Sequence, residues 1–180
     1  MAAGGREAAA IRLWHTPGMR LSVAALLLPV ALAGVACKKK EAPIDGIGPW
    51  HLGKSTASEG TICQPQESGL TWCSHNPEMM IAEHRATVDL YFRGHEPTAP
   101  LVEILLALSA PCNPEAIDKW LTHRLGPASR SSGRAILWDG KAAVIIAMLP
   151  APGGECRIHF VAPEDGARRA ALEKEAAGAP

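Results

Sequence analysis

The apolar positions of this chain change period several times, and each change marks an element. From Ala86 to Arg93 they alternate: Val88, Leu90 and Phe92 fall on one side, Thr87, Asp89, Tyr91 and Arg93 on the other. Period two is the spacing of a strand with one buried and one solvent-facing side. Gly94 to Pro97 ends it. Upstream, Thr61 to His75 reads as a hairpin. A three-residue loop at Glu67-Ser68-Gly69 puts Gly69 in the left-handed position and closes Gln66 against Leu70. Counting back places Cys63 opposite Cys73, in a non-hydrogen-bonded pair whose close Cα atoms suit a disulfide. Trp50 to Thr56 is a short strand or the entry to a turn.

Downstream the period lengthens. Pro100 to Leu108 is a short apolar run and predicts a helix entered through Thr98. Asn113-Pro114-Glu115 opens a second helix, because Asn caps well and Pro suits the first helical position. Ile117, Trp120, Leu121 and Leu125 recur at helical spacing, and Gly126-Pro127 stops the helix. Ala135 to Trp138 and Lys141 to Met148 are strands meeting across Asp139-Gly140. A turn at Pro150 to Gly154 leads into a third strand, Cys156 to Val161. Pro163 to Ala176 is a charged, alanine-rich closing helix with a thin apolar stripe. The expected fold class is α+β: an antiparallel sheet of about five or six strands with two helices packed on one face, plus a C-terminal helix.

The N-terminus has a different pattern. Leu21 to Ala36, LSVAALLLPVALAGVA, runs sixteen residues without a charge. A membrane span needs about 20; sixteen, with Pro29 inside and small residues at the end, suit a secretory signal. Met19-Arg20 supplies a short basic head, so translation is expected to begin at Met19; the alternative is an extended n-region that keeps residues 1–18 in the signal. Gly34, Val35 and Ala36 then precede Cys37. This resembles a bacterial lipoprotein signal, in which small residues lead to a Cys that is lipidated and becomes the new N-terminus. Gly34 stands where that family usually has an aliphatic residue. Cleavage after Ala31-Leu32-Ala33, releasing a soluble protein, and an uncleaved anchor are the rival outcomes. The resemblance implies a signal peptide over 1–36 and a lipidated Cys37 with a polar tether over 37–49. A single α+β domain then covers 50–180. It also implies an envelope location facing the periplasm, with membrane contact through the lipid and the choice of inner or outer membrane open.

Lipidating Cys37 leaves Cys63, Cys73, Cys112 and Cys156, an even set in an oxidising compartment. The hairpin register favours Cys63–Cys73. Cys112–Cys156 would then clamp helices to sheet, and the other two connectivities stay open. In the chain-entropy model, loops of roughly 11 and 45 residues contribute about 3 and about 4 kcal/mol.

Composition narrows the function classes. The chain has 180 residues, 47% of them apolar, and a formal net charge of zero. After Lys40, 12 Lys and Arg face 17 Asp and Glu. A mildly acidic body is not the basic face that nucleic acid requires. Gly48 to Ser55, GPWHLGKS, matches the phosphate-loop pattern G-x-x-x-x-G-K-[ST]. That loop works between a buried parallel strand and a helix N-terminus; here a charged tether precedes it, and Gly60 and Pro65 follow closely. No nucleotide is expected. Trp50 and Leu52 instead pack on the core while Gly53 turns.

Other candidate chemistry is sparse. Histidines 51, 75, 84, 95, 123 and 159 show no zinc spacing, so no metal or other cofactor is expected. Glu78, Glu83, Asp89 and Glu96 are scattered, and Ser74-His75 has no third member for a triad. No catalytic residue is assigned. Pro77 to Ile81 carries two methionines and an isoleucine that either cover the sheet or form an adaptable contact patch. Tyr91 and Arg93 lie on the outward side of their strand.

The segment LTHRLGP…ILWDGKAAVIIA, with Leu125, Gly126, Pro127 and Trp138, resembles small envelope lipoproteins of the BamE/SmpA type and β-lactamase-inhibitor-like modules. The likeness covers about 60 residues and is topological; the family's G-M-T helix start is replaced by Cys112-Asn113-Pro114-Glu115. It carries over no functional residue. The expected function is a lipid-anchored interaction or accessory module without catalytic activity, engaging an envelope protein partner. The alternative is a small envelope enzyme or an inhibitor of one.

Overall fold

The computed structural model describes residues 44–149 and 154–178. The expected signal peptide, Cys37 and Lys38 to Lys40 lie outside the described residues, as does most of the turn at 150–154. Strands β1 (Gly46–Ile47) and β2 (Trp50–His51) pair as a small ribbon. All other strands join one antiparallel sheet of nine. They are β3 (Ile62–Pro65), β4 (Leu70–Ser74), β5 (Met79–Ile81), β6 (His84–Arg93), β7 (Leu101–Leu108), β8 (Arg130–Ser132), β9 (Ala135–Asp139), β10 (Val144–Met148) and β11 (Cys156–Val161). Their spatial order is β3-β4-β6-β7-β11-β10-β9-β8, with β5 also beside β6.

The expected α+β class, with five or six strands and two helices on one face, is wrong. Among the described residues eleven strands form two sheets and there are two α-helices, α1 (Pro114–Leu125) and α2 (Gly166–Gly178). The main error is Pro100 to Leu108: this stretch is β7, the sheet's interior, and not a helix. An unbroken apolar run suits a buried helix and a strand covered on both sides equally well. Here β6 and β11 take the backbone hydrogen bonds of β7 on either side. β8 was also not expected, being short, polar and exposed.

The helices lie on opposite faces. On the first face, Val88, Leu90, Ile104, Leu106, Ile158 and Phe160 pack with Ile117 and Leu121 of α1, and Trp50 and Leu52 cover the same core. Helix α1 begins as expected: Asn113 caps it by accepting from the Ala116 N–H, and Pro114 takes the first turn. On the second face, Leu137, Val144, Ile146, Met148 and Val161 pack with Leu172 and Ala176 of α2. α2 shields only the β9-β10-β11 half. Across β4, β6 and β7 that face leaves Thr87 exposed and Trp72, Asp89, Tyr91 and Leu105 partly buried.

Both disulfides are formed, Cys63–Cys73 and Cys112–Cys156. In the hairpin, Gln66 N–H donates to Leu70 O at 2.7 Å and Cys63 faces Cys73 with Cα atoms 4.0 Å apart. A Cβ on Gly60 would stand 2.6 Å from Cys73 Sγ and 2.8 Å from Cys63 Sγ, so only glycine passes this bridge. The β9–β10 turn is longer than a two-residue loop: Asp139 pairs with Val144, and Gly140 N–H donates to Ala143 O at 3.0 Å.

Candidate functional site

The uncovered half-face owes its shape to a break in one strand edge. β4 pairs with the second half of β6 and β5 with the first half, both on the same side. Between them the chain leaves the sheet at His75, whose φ of 56° lies in the left-handed region, where side chains are strained. Asn76 bridges the gap. Its Nδ2 donates to Cys73 O and Val88 O, both at 3.0 Å, and its Oδ1 accepts from Thr61 N–H at 3.1 Å. A buried carboxamide thus replaces the missing ladder bonds.

Beside this break lies a hollow of about 330 Å³ lined by Trp72, Ser74, His75, Glu78, Thr87 and Asp89, among others. A shallower one of about 130 Å³ shares Glu78 and Thr87 and runs on to Ala107 and Glu155. Together they form one groove on the second face. Ile62 and Met80, at 47% and 61% exposure, are the exposed large apolar side chains among the described residues. By register both project on this same face, from the edge strands β3 and β5.

The groove's electrostatics centre on Asp89. Burial pushes its carboxyl up, and the Trp72 indole N–H and the His75 ring only partly counter this. The Trp72 contact falls short of a well-formed hydrogen bond, leaving that buried Nε1 without a partner. Tyr91 faces Trp72 across the strand pair; burial, Glu103 and Asp89 push its phenol up. Ser74 Oγ lies 2.9 Å from His75 Nδ1. Among the described residues no carboxylate hydrogen-bonds that imidazole, so the pair lacks the orienting third member of a catalytic triad.

A second carboxylate on this face is treated differently. Glu103, opposite Tyr91, is buried at the edge of α2. Burial opposes its ionisation, but hydrogen bonds from His159 and Arg168 outweigh that and bring its carboxyl below the usual value. His159 Nδ1 lies at 2.7 Å, and Arg168 Nε and a terminal guanidinium nitrogen at 2.6 and 2.9 Å. His159 Nε2 is buried without a partner. Sequence reasoning passed over this cluster, although one signal was available: Glu103 is a lone charge inside LVEILL, and a charge in a doubly covered strand needs a counter-charge.

The phosphate-loop stretch takes another form. Trp50 and Leu52 are buried and Gly53 turns at φ 71°. Lys54 Nζ is spent on Asp45 Oδ2 at 2.6 Å, and His51 Nδ1 approaches the other oxygen at 2.8 Å. These hydrogen bonds, the lysine's first, hold Asp45 at about 2. β1 precedes the stretch, its antiparallel partner β2 lies within it, and the next element in the chain is a three-residue 3-10 turn, Ala57–Glu59, not an α-helix. A hollow of about 220 Å³ lies between this ribbon and α1, where Arg124 stacks over Trp120 at 4.8 Å.

The remaining histidines are dispersed: His84 Nε2 accepts from Asn113 N–H, and His95 lies against Thr71. Among the described residues no three His, Cys, Asp or Glu side chains converge as metal ligands, and no helix is long and apolar enough to cross a membrane. Of the Met79 to Ile81 stretch, Ile81 is buried, Met79 packs against the core and only Met80 projects outward. No family model, curated protein or solved structure matches this chain.

Proposed function

We propose that this chain is an envelope-anchored interaction module, tethered through a lipid on Cys37 and facing the periplasm. It presents the uncovered half of the sheet's second face to a protein partner. The observation that carries this reading is the groove between β4 and β5, flanked on one face by exposed Ile62 and Met80. Apolar side chains beside a shaped, partly polar hollow are what a transient interface uses. Two disulfides support an oxidising compartment. The tether holds the groove close to its partner and so raises the effective concentration of the contact.

In-cell photo-crosslinking tests the reading. A photoreactive residue at Met80 or Thr87 is expected to give one dominant adduct, and one at Ala171, on the exposed side of α2, none. Adducts of equal pattern from all three positions would defeat it. Metabolic labelling with an alkyne fatty acid, lost in Cys37→Ser, tests the anchor.

A further inference from the structure

We infer that the groove recognises an arginine side chain of its protein partner, with the guanidinium paired to Asp89 and lying against Trp72, which Tyr91 flanks across the strand pair. This rests on the reading of the groove as a partner surface and names the chemistry it selects. The charges on this face are unevenly matched. On this face and its margins Glu103 is paired with Arg168, Asp165 with Arg93, Asp139 and Glu173 with Arg169, and Glu175 with Arg157. Glu78 approaches Arg85. Asp89 lies deeper than Glu78 yet has no Lys or Arg partner among the described residues, and the neighbouring arginines are already engaged.

The surroundings of Asp89 fit a guanidinium. Trp72 and Tyr91 are directly opposed on adjacent strands, and Leu105 stands opposite Asp89. A carboxylate beside an aromatic ring that lines the same hollow offers a guanidinium both charge-assisted hydrogen bonds and a stacking surface. Ammonium, compact and strongly hydrated, would use only the first. The hollow of about 330 Å³ has room for the planar head and part of its stem. Burial of Asp89 without a cation raises its carboxyl, and a bound guanidinium would reverse that.

The test uses the full-length protein as recovered from the producing cells, labelled with ¹⁵N-tryptophan, with the Trp72 indole signal assigned by Trp72→Phe. The probe is acetyl-Leu-Arg-Leu-amide; its neutral control replaces Arg with citrulline. A saturable shift of the Trp72 signal is expected with the arginine probe. Affinity should fall at least tenfold with citrulline and at least tenfold in Asp89→Asn, and severalfold in Tyr91→Leu. Glu164→Gln, an exposed carboxylate elsewhere, should bind like wild type. Equal response to both probes, wild-type binding by Asp89→Asn, or no saturable shift would each overturn the inference. Crosslinking from Met80 separates the two levels. An adduct undiminished by Asp89→Asn removes the arginine and keeps the module, whereas no adduct in the wild type removes the module itself.

Discussion

Asp89 and Glu103 stand on the same face of adjacent strands, one row apart, and their environments push them in opposite directions. Glu103 is the more deeply buried, yet its carboxyl lies below the usual value because Arg168 and His159 hold the charged form. Asp89 is only partly buried, yet its carboxyl lies above, because no cation answers its desolvation. Burial alone therefore does not decide the sign; the partner does. The pairing follows the architecture. Where α2 covers the sheet, the helix brings a cation to the strand carboxylate. Where the face is open, nothing in the described chain does. A satisfied buried carboxylate holds the fold together; the unsatisfied one is the feature on which the proposed arginine contact rests.

The sharpest way to break this contrast is to cut a side chain from each half. Ile146, fully buried between the sheet and α2, should cost about 4 kcal/mol on Ile146→Ala. Thr87→Ala, in the open groove, should stay within about 0.5 kcal/mol. Urea unfolding of both variants measures the difference; equal losses would mean that the open half is core after all. Arg168→Met comes next, at about 3 kcal/mol, since it leaves a buried carboxylate with His159 alone. Its pH profile carries the proof. In wild type the Glu103 contribution is present above the unfolded glutamate value, near 4.3, and is lost as pH falls through the lower folded value. Without Arg168 the charged form of Glu103 keeps only His159 against the same burial, and the variant should regain stability relative to wild type on acidification.

The same division explains what was legible in the sequence. Alternation in Ala86 to Arg93 identified β6 because one of its sides is open, and two residues of the polar half of the pattern, Thr87 and Asp89, line the groove. The unbroken run of β10, Val144–Met148, was found as a strand because its β-branched residues and the nearby Asp139-Gly140 settle what periodicity cannot. Leu101 to Leu108 has only Val102 and Ile104 as β-branched residues and no such turn beside it. It is rich in leucine and covered on both sides, and Thr98 offered a helix entry, so the helical reading won although Glu103 would have faced an apolar layer. The groove was invisible for another reason. It depends on β4 and β5 sharing one edge of β6, with Asn76 filling the break, and no local pattern encodes a gap between two strands. Tyr91 and the Met79 to Ile81 stretch were singled out, but nothing along the chain joined them to Trp72.

A smaller effect is expected where the open half relies on covalent chemistry. All four residues of β3 are exposed, so little burial holds that edge. Its disulfide closes a separation of 10 residues, which in the chain-entropy model contributes ~2.7 kcal/mol. Replacing Cys63 and Cys73 together by serine should lower global stability by about that amount. Amide hydrogen exchange should rise first at Ile62, Cys63 and Gln64 of β3, with β9 and β10 protected as before. Uniform loss of protection across the sheet would show that the two halves do not differ in this way.

The smallest effect sharpens the comparison most. Asp89 has its folded value raised above the unfolded aspartate value, near 3.9, so the native state binds its proton more tightly than the unfolded chain does. Stability then falls as pH rises from the unfolded value through the folded one, and charged Asp89 is a small net cost at neutral pH. Asp89→Asn removes that cost. The variant should be slightly more stable than wild type at pH 7, and the advantage should vanish below about pH 3.5, where both chains carry a neutral group. The groups facing Asp89 bear on the window: His75 from the loop, Glu78 across the groove, and Tyr91 on its own strand with Glu103 and Arg168 beyond it. Thermal unfolding of the pair between pH 3 and pH 7 measures the difference. A variant less stable than wild type at pH 7 would place Asp89 with Glu103, as a carboxylate the fold already satisfies.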